Sequence, residues 1–353
     1  MLTFMEHILY SFYDASGWHR DNLYALLTHS SQNLIDFRVP EGVAMNVSAL
    51  STPNSASSYT LTNLGHIQGS VAYLSTSLSL PRPHSGTLDL HTVVPGYHKL
   101  DPINSQDRIY DTIWQGGKPI HRQDSLLFGR LALPTNTLEA MYVRRFNPTT
   151  QLLVTCVSGA HLKSGGALTL YWQKDCRQYA HELLYSTNEA LLGARGLYNF
   201  GVDMSKPHIA SRLSVGGEFY YGVLNKSPGM STALRYVTQS AYTGSPLTMT
   251  LTCNPIMGEF SSTYSLRTGP SSSFSTRYDF NMYSYLSNLS MGAEVWKSRD
   301  SVFKLSSSLQ DKTARVLWGG RYKDILVNTG VAFDYGGRVP DVTAIGVEFQ
   351  YAC

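Results

Sequence analysis

The chain has 353 residues and a formal net charge of +3; only 15% of its residues are charged, while aromatics reach 12% and include 23 tyrosines. A soluble globular domain carries roughly 25% charged residues, so much of this surface is covered by something other than water, and so mild a charge argues against nucleic acid as a partner. No window reaches the roughly 18 consecutive apolar residues of a transmembrane helix, which leaves a membrane barrel open because its signal is far weaker per segment.

The N-terminal stretch MLTFMEHILYSFYDASGW places Met5, Ile8, Leu9 and Phe12 at helical spacing and predicts one short amphipathic helix over about residues 3–13. It has no basic start followed by a clean apolar run, and it contains Glu6 and Asp14. It therefore reads neither as a secretory signal nor as an Arg-rich presequence.

From about residue 34 the period changes from 3.6 to 2. In RLSVGGEFYYGV, Leu213, Val215, Phe219, Tyr221 and Val223 alternate with Ser214, Gly216, Glu218, Tyr220 and Gly222. In PLTMTLTC, Leu247, Met249, Leu251 and Cys253 alternate with threonines, and in SFSTRYDFNM the even positions Phe274, Tyr278, Phe280 and Met282 oppose Ser275, Arg277, Asp279 and Asn281. Further alternating runs lie near 61–78, 124–133, 138–160, 166–174, 229–241, 289–296, 302–310 and 324–335, with KSPG, YTGSP, RTGP and YGGRVP as turn signals. The stretch 80–124 is broken by Pro81, Pro83, Pro95 and Pro102, and is expected to hold at most one or two strands and otherwise a long loop on a rim.

The chain closes on TAIGVEFQYAC, in which Ile345, Val347, Phe349 and Tyr351 share one parity. Spanning strands take about 9 to 11 residues each, so this length has room for roughly 16 to 20, too many for one soluble sandwich. A bilayer cannot satisfy the backbone groups of a sheet edge, so the sheet must close and the last strand pair with the first. The expected fold is an all-β transmembrane antiparallel barrel with the apolar parity facing lipid and the polar parity facing the lumen. Trp172, Trp296 and Trp318 are expected in aromatic girdles at the two interfaces. LSVGGEFY (213–220), LSMGAEVW (289–296) and AIGVEFQY (344–351) form a near repeat, as hairpin units around a closed sheet would, or as strands in which glycine eases curvature.

Catalytic signatures are missing: there is no G-x-S-x-G, H-E-x-x-H, Walker A, G-x-G-x-x-G or paired-cysteine zinc spacing, and HELLY from His181 lacks a second histidine. No catalytic residue, metal ligand or cofactor is expected. Gly165-Gly166, Gly216-Gly217 and Gly336-Gly337 read as turn or bulge glycines. Cys156, Cys176, Cys253 and Cys353 read as reduced thiols, and the sequons at Asn46, Asn225 and Asn288 as chance in a Ser/Thr-rich chain.

The blocks LIDFRVP, STPNSASS, LEAMYVRRFNPTTQ, KSPGMSTALRYVT, TGSPLTMTLTCNPIMGEFSSTYS, STRYDFNMYSYLSNLSMGAEVW, KLSSSLQDKTARVLWGGRY and IGVEFQY together resemble the fungal mitochondrial distribution and morphology protein 10 family over nearly the whole chain. The resemblance implies a mitochondrial outer-membrane barrel of the porin and import-pore type, with about 19 strands and the N-terminal helix inside. Residues 1–33 would be the helix and lead-in, and 34–353 a single barrel domain with the Pro-rich loop region near 80–124. An odd strand count would pair the first and last strands in parallel.

The resemblance also implies two non-enzymatic roles. One is in the sorting and assembly machinery, helping barrel proteins, notably the general import pore, to mature. The other is anchoring the ER-mitochondria encounter structure, whose other subunits transfer lipid. Implied partners are the subunits of that machinery, the central receptor of the import pore, the lipid-transfer subunits of the tether, and membrane lipid. By motif match, Tyr278 and Phe280 in YDF would contact the assembly machinery or import receptor, and Tyr73 in SVAYLSTS the tether. Gly346, Phe349 and Tyr351 match the family's C-terminal sorting signal, with Ala344 in its polar place. The long polar insertion that family members often carry before KLSSSL is missing, since VWKSRD runs almost directly into SVFKLSSSL. The competing readings are a diffusion pore or metabolite channel built on the same barrel, and a soluble multi-sheet protein.

Overall fold

The computed structural model describes residues 2, 4–80, 84–100, 112–115, 118–121, 123–160, 165–200, 211–239, 244–337 and 341–353. Pro81, Pro83 and Pro102, and parts of YTGSP and YGGRVP, lie outside them. Nineteen strands form one closed sheet in which each pairs antiparallel with its neighbours, except that the first, Gly42–Thr52, pairs in parallel with the last, Asp341–Ala352. This is the expected barrel with its odd-count seam. The seam runs from Gly42↔Gly346 to Ser48↔Ala352, and Cys353 N–H extends it by donating to Ser48 O at 3.1 Å. No helix among the described residues is long and apolar enough to cross a membrane, which says nothing against crossing by strands.

Alternation builds the wall. In Ser272–Asn281 the side chains of Phe274 and Tyr278 are exposed while Ser273 and Ser275 are buried. In Ile67–Thr76, Val71 and Tyr73 point outward while Ala72 and Leu74 point inward. The outer face is thus a belt of Leu, Met, Phe, Tyr and Val, suited to a medium in which only a closed sheet satisfies its backbone. Two expected runs resolve into two strands each: 61–78 contains the turn between Ser55–Asn63 and Ile67–Thr76, and 138–160 the turn between Thr137–Asn147 and Thr150–Ser158.

The lumen holds the N-terminal segment. Helix α1 (Phe4–Ser16) is longer than its periodicity suggests and stops at Gly17, whose φ of +70° supports the bonds Gly17 N–H to Asp14 O and Trp18 N–H to Tyr13 O. Its buried residues Met5, Ile8 and Phe12 pack with the inward residues Ala56, Ala72, Leu74, Leu126 and Val143. Full burial of each such large side chain contributes roughly 1.5–3 kcal/mol. A second helix, α2 (His29–Ile35), which the sequence pattern did not reveal, lies against the strands Ser272–Asn281, Ser287–Ser298 and Ser301–Ser308, and the first strand begins only at Gly42. Because α1 packs with Leu50, Leu80 and Ala352 at the end where the C-terminus lies, and Pro40 meets Gly346 at the other, this segment threads the barrel lengthwise.

The Pro-rich stretch departs from its expected place on a rim. Residues 84–100 fold into the lumen: helix α3 (Leu90–Val93) and Val94 pack against Trp296, Val302 and Leu326, and Ser85 Oγ donates to Asp324 O and Ala352 O. The short strands Thr112–Gln115 and Lys118–His121 pair with each other, outside the barrel sheet.

Candidate interaction wall and filled lumen

Tyr278 and Phe280 lie on the outward parity of Ser272–Asn281, with Phe280 paired to Phe260 of the neighbouring strand. The strand ends in a turn held rigid by its own polar groups. Asn281 Oδ1 accepts from Tyr283 N–H at 2.9 Å and Ser284 N–H at 3.0 Å, Asn281 Nδ2 donates to Met257 O at 3.2 Å, and Tyr283 OH donates to Pro255 O at 3.1 Å. Met257, Met282, Tyr283, Tyr285 and Leu286 are therefore held exposed on two adjoining turns, Tyr285 at 80%. They extend the Tyr278 face into an apolar ridge at the rim. Sequence reasoning missed this ridge, because apolar residues in a turn have no period to reveal them.

Tyr73 is also exposed on the outer wall. It belongs to the third of nineteen barrel strands and Tyr278 to the fourteenth, eight strands apart by the shorter way round. Each lies three residues before its strand's end, and those ends, at Thr76 and Asn281, are at opposite rims. The two positions are thus separated both around and along the barrel. The terminal residues divide between faces: Phe349 and Tyr351 point outward, while Gly346 is buried at the seam, where a Cβ would stand 2.6 Å from Pro40 O and 2.5 Å from Gly42 O.

Inside, the near repeat acquires a different meaning. Its shared feature is an inward Gly-x-Glu: Gly216 and Glu218, Gly292 and Glu294, Gly346 and Glu348. A Cβ on Gly216 would meet the Tyr24 ring at 2.6 Å, one on Gly292 Leu34 O at 2.2 Å, and one on Gly346 Pro40 O. The three glycines seat successive parts of the threading segment, so Gly216-Gly217 is mid-strand and no turn or bulge. Trp296 is likewise no girdle residue. It is buried in the lumen, stacked on His91 at 3.7 Å, and donates from Nε1 to Glu294 Oε1. Trp172 and Trp318 do face outward.

Polar groups fasten both internal segments to the wall. Lys304 Nζ lies 3.2 Å from Glu294 Oε2 and donates to Asn33 O and Pro95 O. Arg321 donates to Gly86 O and Leu88 O. Asp36 receives both terminal nitrogens of Arg277, and His98 Nε2 pairs with Asp21 at 2.7 Å. His29 on α2 is pulled down to about 4, mainly by burial and then by His98 and Arg20. Two spaces of about 450 and 720 Å³ share Glu218, Ser231, Thr252, Ser261 and Asp279, and the second reaches the turns beyond Asn254 and Asn281. The lumen is therefore a vestibule at that rim, and the two internal segments occupy the part toward the other. Among the described residues no three His, Cys, Asp or Glu side chains gather to hold a metal, and the four cysteines are free thiols.

Residues 1–300 and 297–353 match the profile of the family described as mitochondrial distribution and morphology protein 10. Proteins carrying that name from Phaeosphaeria nodorum and Sclerotinia sclerotiorum are each 40% identical to this chain, over alignments of 391 and 399 residues that cover all of both sequences; one from Meyerozyma guilliermondii is 37% identical over 425. Those alignments exceed the 353 residues of this chain, so the relatives carry residues that it lacks. The two profile matches meet at residues 297–300, where a tight turn joins Ser287–Ser298 to Ser301–Ser308. A closed nineteen-strand barrel, a full-length profile match and full-length relatives agree, and the chain belongs to the mitochondrial distribution and morphology protein 10 family.

Proposed function

We propose that this mitochondrial barrel sits in the outer membrane at ER contact sites and acts without catalysis, as a membrane-held platform for alternating partners. In one role it supports the assembly and release of barrel proteins, notably the import pore, within the sorting and assembly machinery. In the other it anchors the ER-mitochondria tether and so serves lipid exchange and mitochondrial morphology. The rigid apolar ridge from Tyr278 to Tyr285 carries the reading, because a protruding aromatic turn is costly to leave in water and suits a protein or lipid partner. Tyr278 and Phe280 are assigned to the assembly machinery or the import receptor, and Tyr73 to the tether. Their separation around and along the wall supports two partners that need not compete. Gly346, Phe349 and Tyr351 are assigned to insertase recognition.

A diffusion pore is less well supported, since two segments of the chain occupy the lumen and are bonded to its wall. The deciding experiment is affinity isolation of tagged protein from gently solubilised mitochondria, followed by native separation and identification of partners. Two complexes are expected, one with the barrel-insertion machinery and one with the tether. A single self-assembled species lacking both would overturn the reading and redirect attention to bilayer conductance.

A further inference from the structure

The outer wall carries a cluster of aromatic rings well away from the Tyr278 face. It lies at the rim where the strands Thr137–Asn147, Gly166–Asp175 and Leu191–Phe200 end and Tyr179–Ser186 begins. Phe146 stacks on Trp172 with ring centroids 5.7 Å apart, and Tyr198 meets Phe200 edge-on at 4.8 Å. Tyr179 stands directly across from Tyr198, and Trp172, Tyr179, Tyr198 and Phe200 are all exposed. Such a belt marks the level at which headgroups begin in a spanning barrel. Leu152 and Leu183 flank Trp172 on its two neighbouring strands and continue the apolar wall below it.

Basic side chains are set among these rings. Arg144 lies over the Phe146 ring at 5.3 Å and donates from Nη2 to Gln123 Oε1 at 2.7 Å. Lys174 is exposed and stands across from His181, whose ring is 5.0 Å from that of Tyr179. Arg177 follows in the exposed turn between those two strands. Among the described residues, Arg144, Lys174 and Arg177 form no ion pair. The carboxylates of these strands are engaged elsewhere. Asp175 and Glu182 are buried on the lumen side, where Asp175 accepts from Asn22 and Glu182 from Gln173 and Arg195, and Glu139 pairs with Arg130. We propose that this belt binds an anionic glycerophospholipid of the surrounding leaflet, its phosphate against Arg144 and Lys174, its headgroup toward Arg177 and its chains along Leu152, Trp172 and Leu183. A zwitterionic lipid would bring a cation of its own into the same cluster and gain little there.

Native mass spectrometry of the full chain in detergent tests this, with dioleoylphosphatidylglycerol and dioleoylphosphatidylcholine titrated separately. Retention of the anionic lipid at concentrations where the zwitterionic one of equal chain length is not retained is expected. Each basic residue at a membrane surface strengthens binding of anionic lipid by about fivefold, so Arg144→Gln with Lys174→Gln should weaken retention about 25-fold. Lys226→Gln, which removes a charge in an exposed turn at the opposite rim, should change nothing. Inorganic phosphate should not displace the lipid, because it gains nothing along Leu152 and Leu183. Equal retention of the two lipids, or unchanged retention in the double variant, overturns the proposal in favour of unselective contact with the belt. Displacement by phosphate overturns it in favour of a soluble anion. The comparison of the two lipids on the parent chain decides even if the double variant fails to fold.

Discussion

Lys304 Nζ lies 3.2 Å from Glu294 Oε2 on the neighbouring strand, with both side chains almost wholly buried inside the barrel. The same ammonium also donates to Asn33 O at the end of α2 and to Pro95 O of the second internal segment, so one side chain joins the wall to both occupants of the lumen. Removing one partner of such a pair strands the other charge, which typically costs about 3–5 kcal/mol, whereas removing both is far less harmful. Lys304→Met is therefore expected to lower the barrel's resistance to denaturant strongly, and Lys304→Met with Glu294→Gln to recover most of it. Denaturant titration of the two variants in detergent checks this; equal losses in both would mean the ion pair contributes nothing of its own.

The glycine seats yield a graded series. A Cβ at Gly292 would fall 2.2 Å from a backbone oxygen, Leu34 O, which cannot swing away, whereas at Gly216 the nearest atom belongs to the Tyr24 ring at 2.6 Å, with the wall oxygen Gly196 O next at 2.8 Å. Gly292→Ala is expected to displace α2 and Gly216→Ala to shift the Tyr24 ring with a smaller effect; core overpacking usually costs about 1–3 kcal/mol. Reaction of a cysteine placed at Ser30, normally buried, with a water-soluble maleimide measures the displacement. Labelling should rise severalfold in Gly292→Ala and little in Gly216→Ala.

These seats show where the sequence was legible and where it was not. Period 2 reveals a face wherever the two sides of a strand meet different media, as Phe274 and Ser275 do, so the barrel could be read directly. It cannot say what fills the lumen. Ala72, Leu74 and Leu126 are inward yet apolar because α1 covers them, and a strand apolar on both faces loses its alternation. The Gly-x-Glu repeat was visible, but glycine for curvature and glycine for close approach look alike until the approaching chain is placed. Trp296 was the avoidable error: it shares parity with Glu294 and Ser290, so its own strand assigned it to the lumen.

Tyr278 and Phe280 share the outward parity and neither belongs to the buried clusters inside the barrel, so Tyr278→Ala with Phe280→Ala should leave the barrel inserted and as heat-stable as the parent. Recovery of the assembly machinery in affinity isolation should fall severalfold while recovery of the tether stays unchanged. Tyr73→Ala should do the reverse. Loss of both partner sets from either variant would mean that the substitutions damage the barrel rather than a site.

His29 supplies a pH dependence. A free histidine titrates near 6.5, and burial beside His98 and Arg20 holds this one at about 4, with Asp21 partly opposing them. Between those values the released segment binds more protons than the docked one, so the stabilisation is complete above pH 6.5 and is lost as pH falls toward 4. Maleimide labelling at position 30 should therefore rise over that window, and His29→Gln should flatten the rise. A profile identical to the parent's in His29→Gln would mean that His29 is not the group that titrates.

Gly346 combines two demands that experiment can separate. As part of the terminal signal it would be needed before insertion, when the insertase reads an unpaired strand. In the finished barrel it is needed for a different reason: its Cα lies opposite Gly42 in the parallel seam, and a Cβ would come within 2.7 Å of Gly42 N, Gly42 O and Pro40 O, all of them backbone. Parallel pairing is already slightly weaker per residue than antiparallel, and this is the one place where the barrel relies on it. Gly346→Ala is therefore expected to insert but close poorly, giving a carbonate-resistant protein whose seam is open to protease and whose unfolding temperature is lowered. Gly330, which pairs with Gly346 and would place a Cβ 3.0 Å from Val39, should show a weaker form of the same defect when changed to alanine. Were Gly346→Ala to remain wholly extractable by carbonate while Gly330→Ala inserted normally, the glycine would be acting at the recognition step, and the crowding at the seam would be secondary to it.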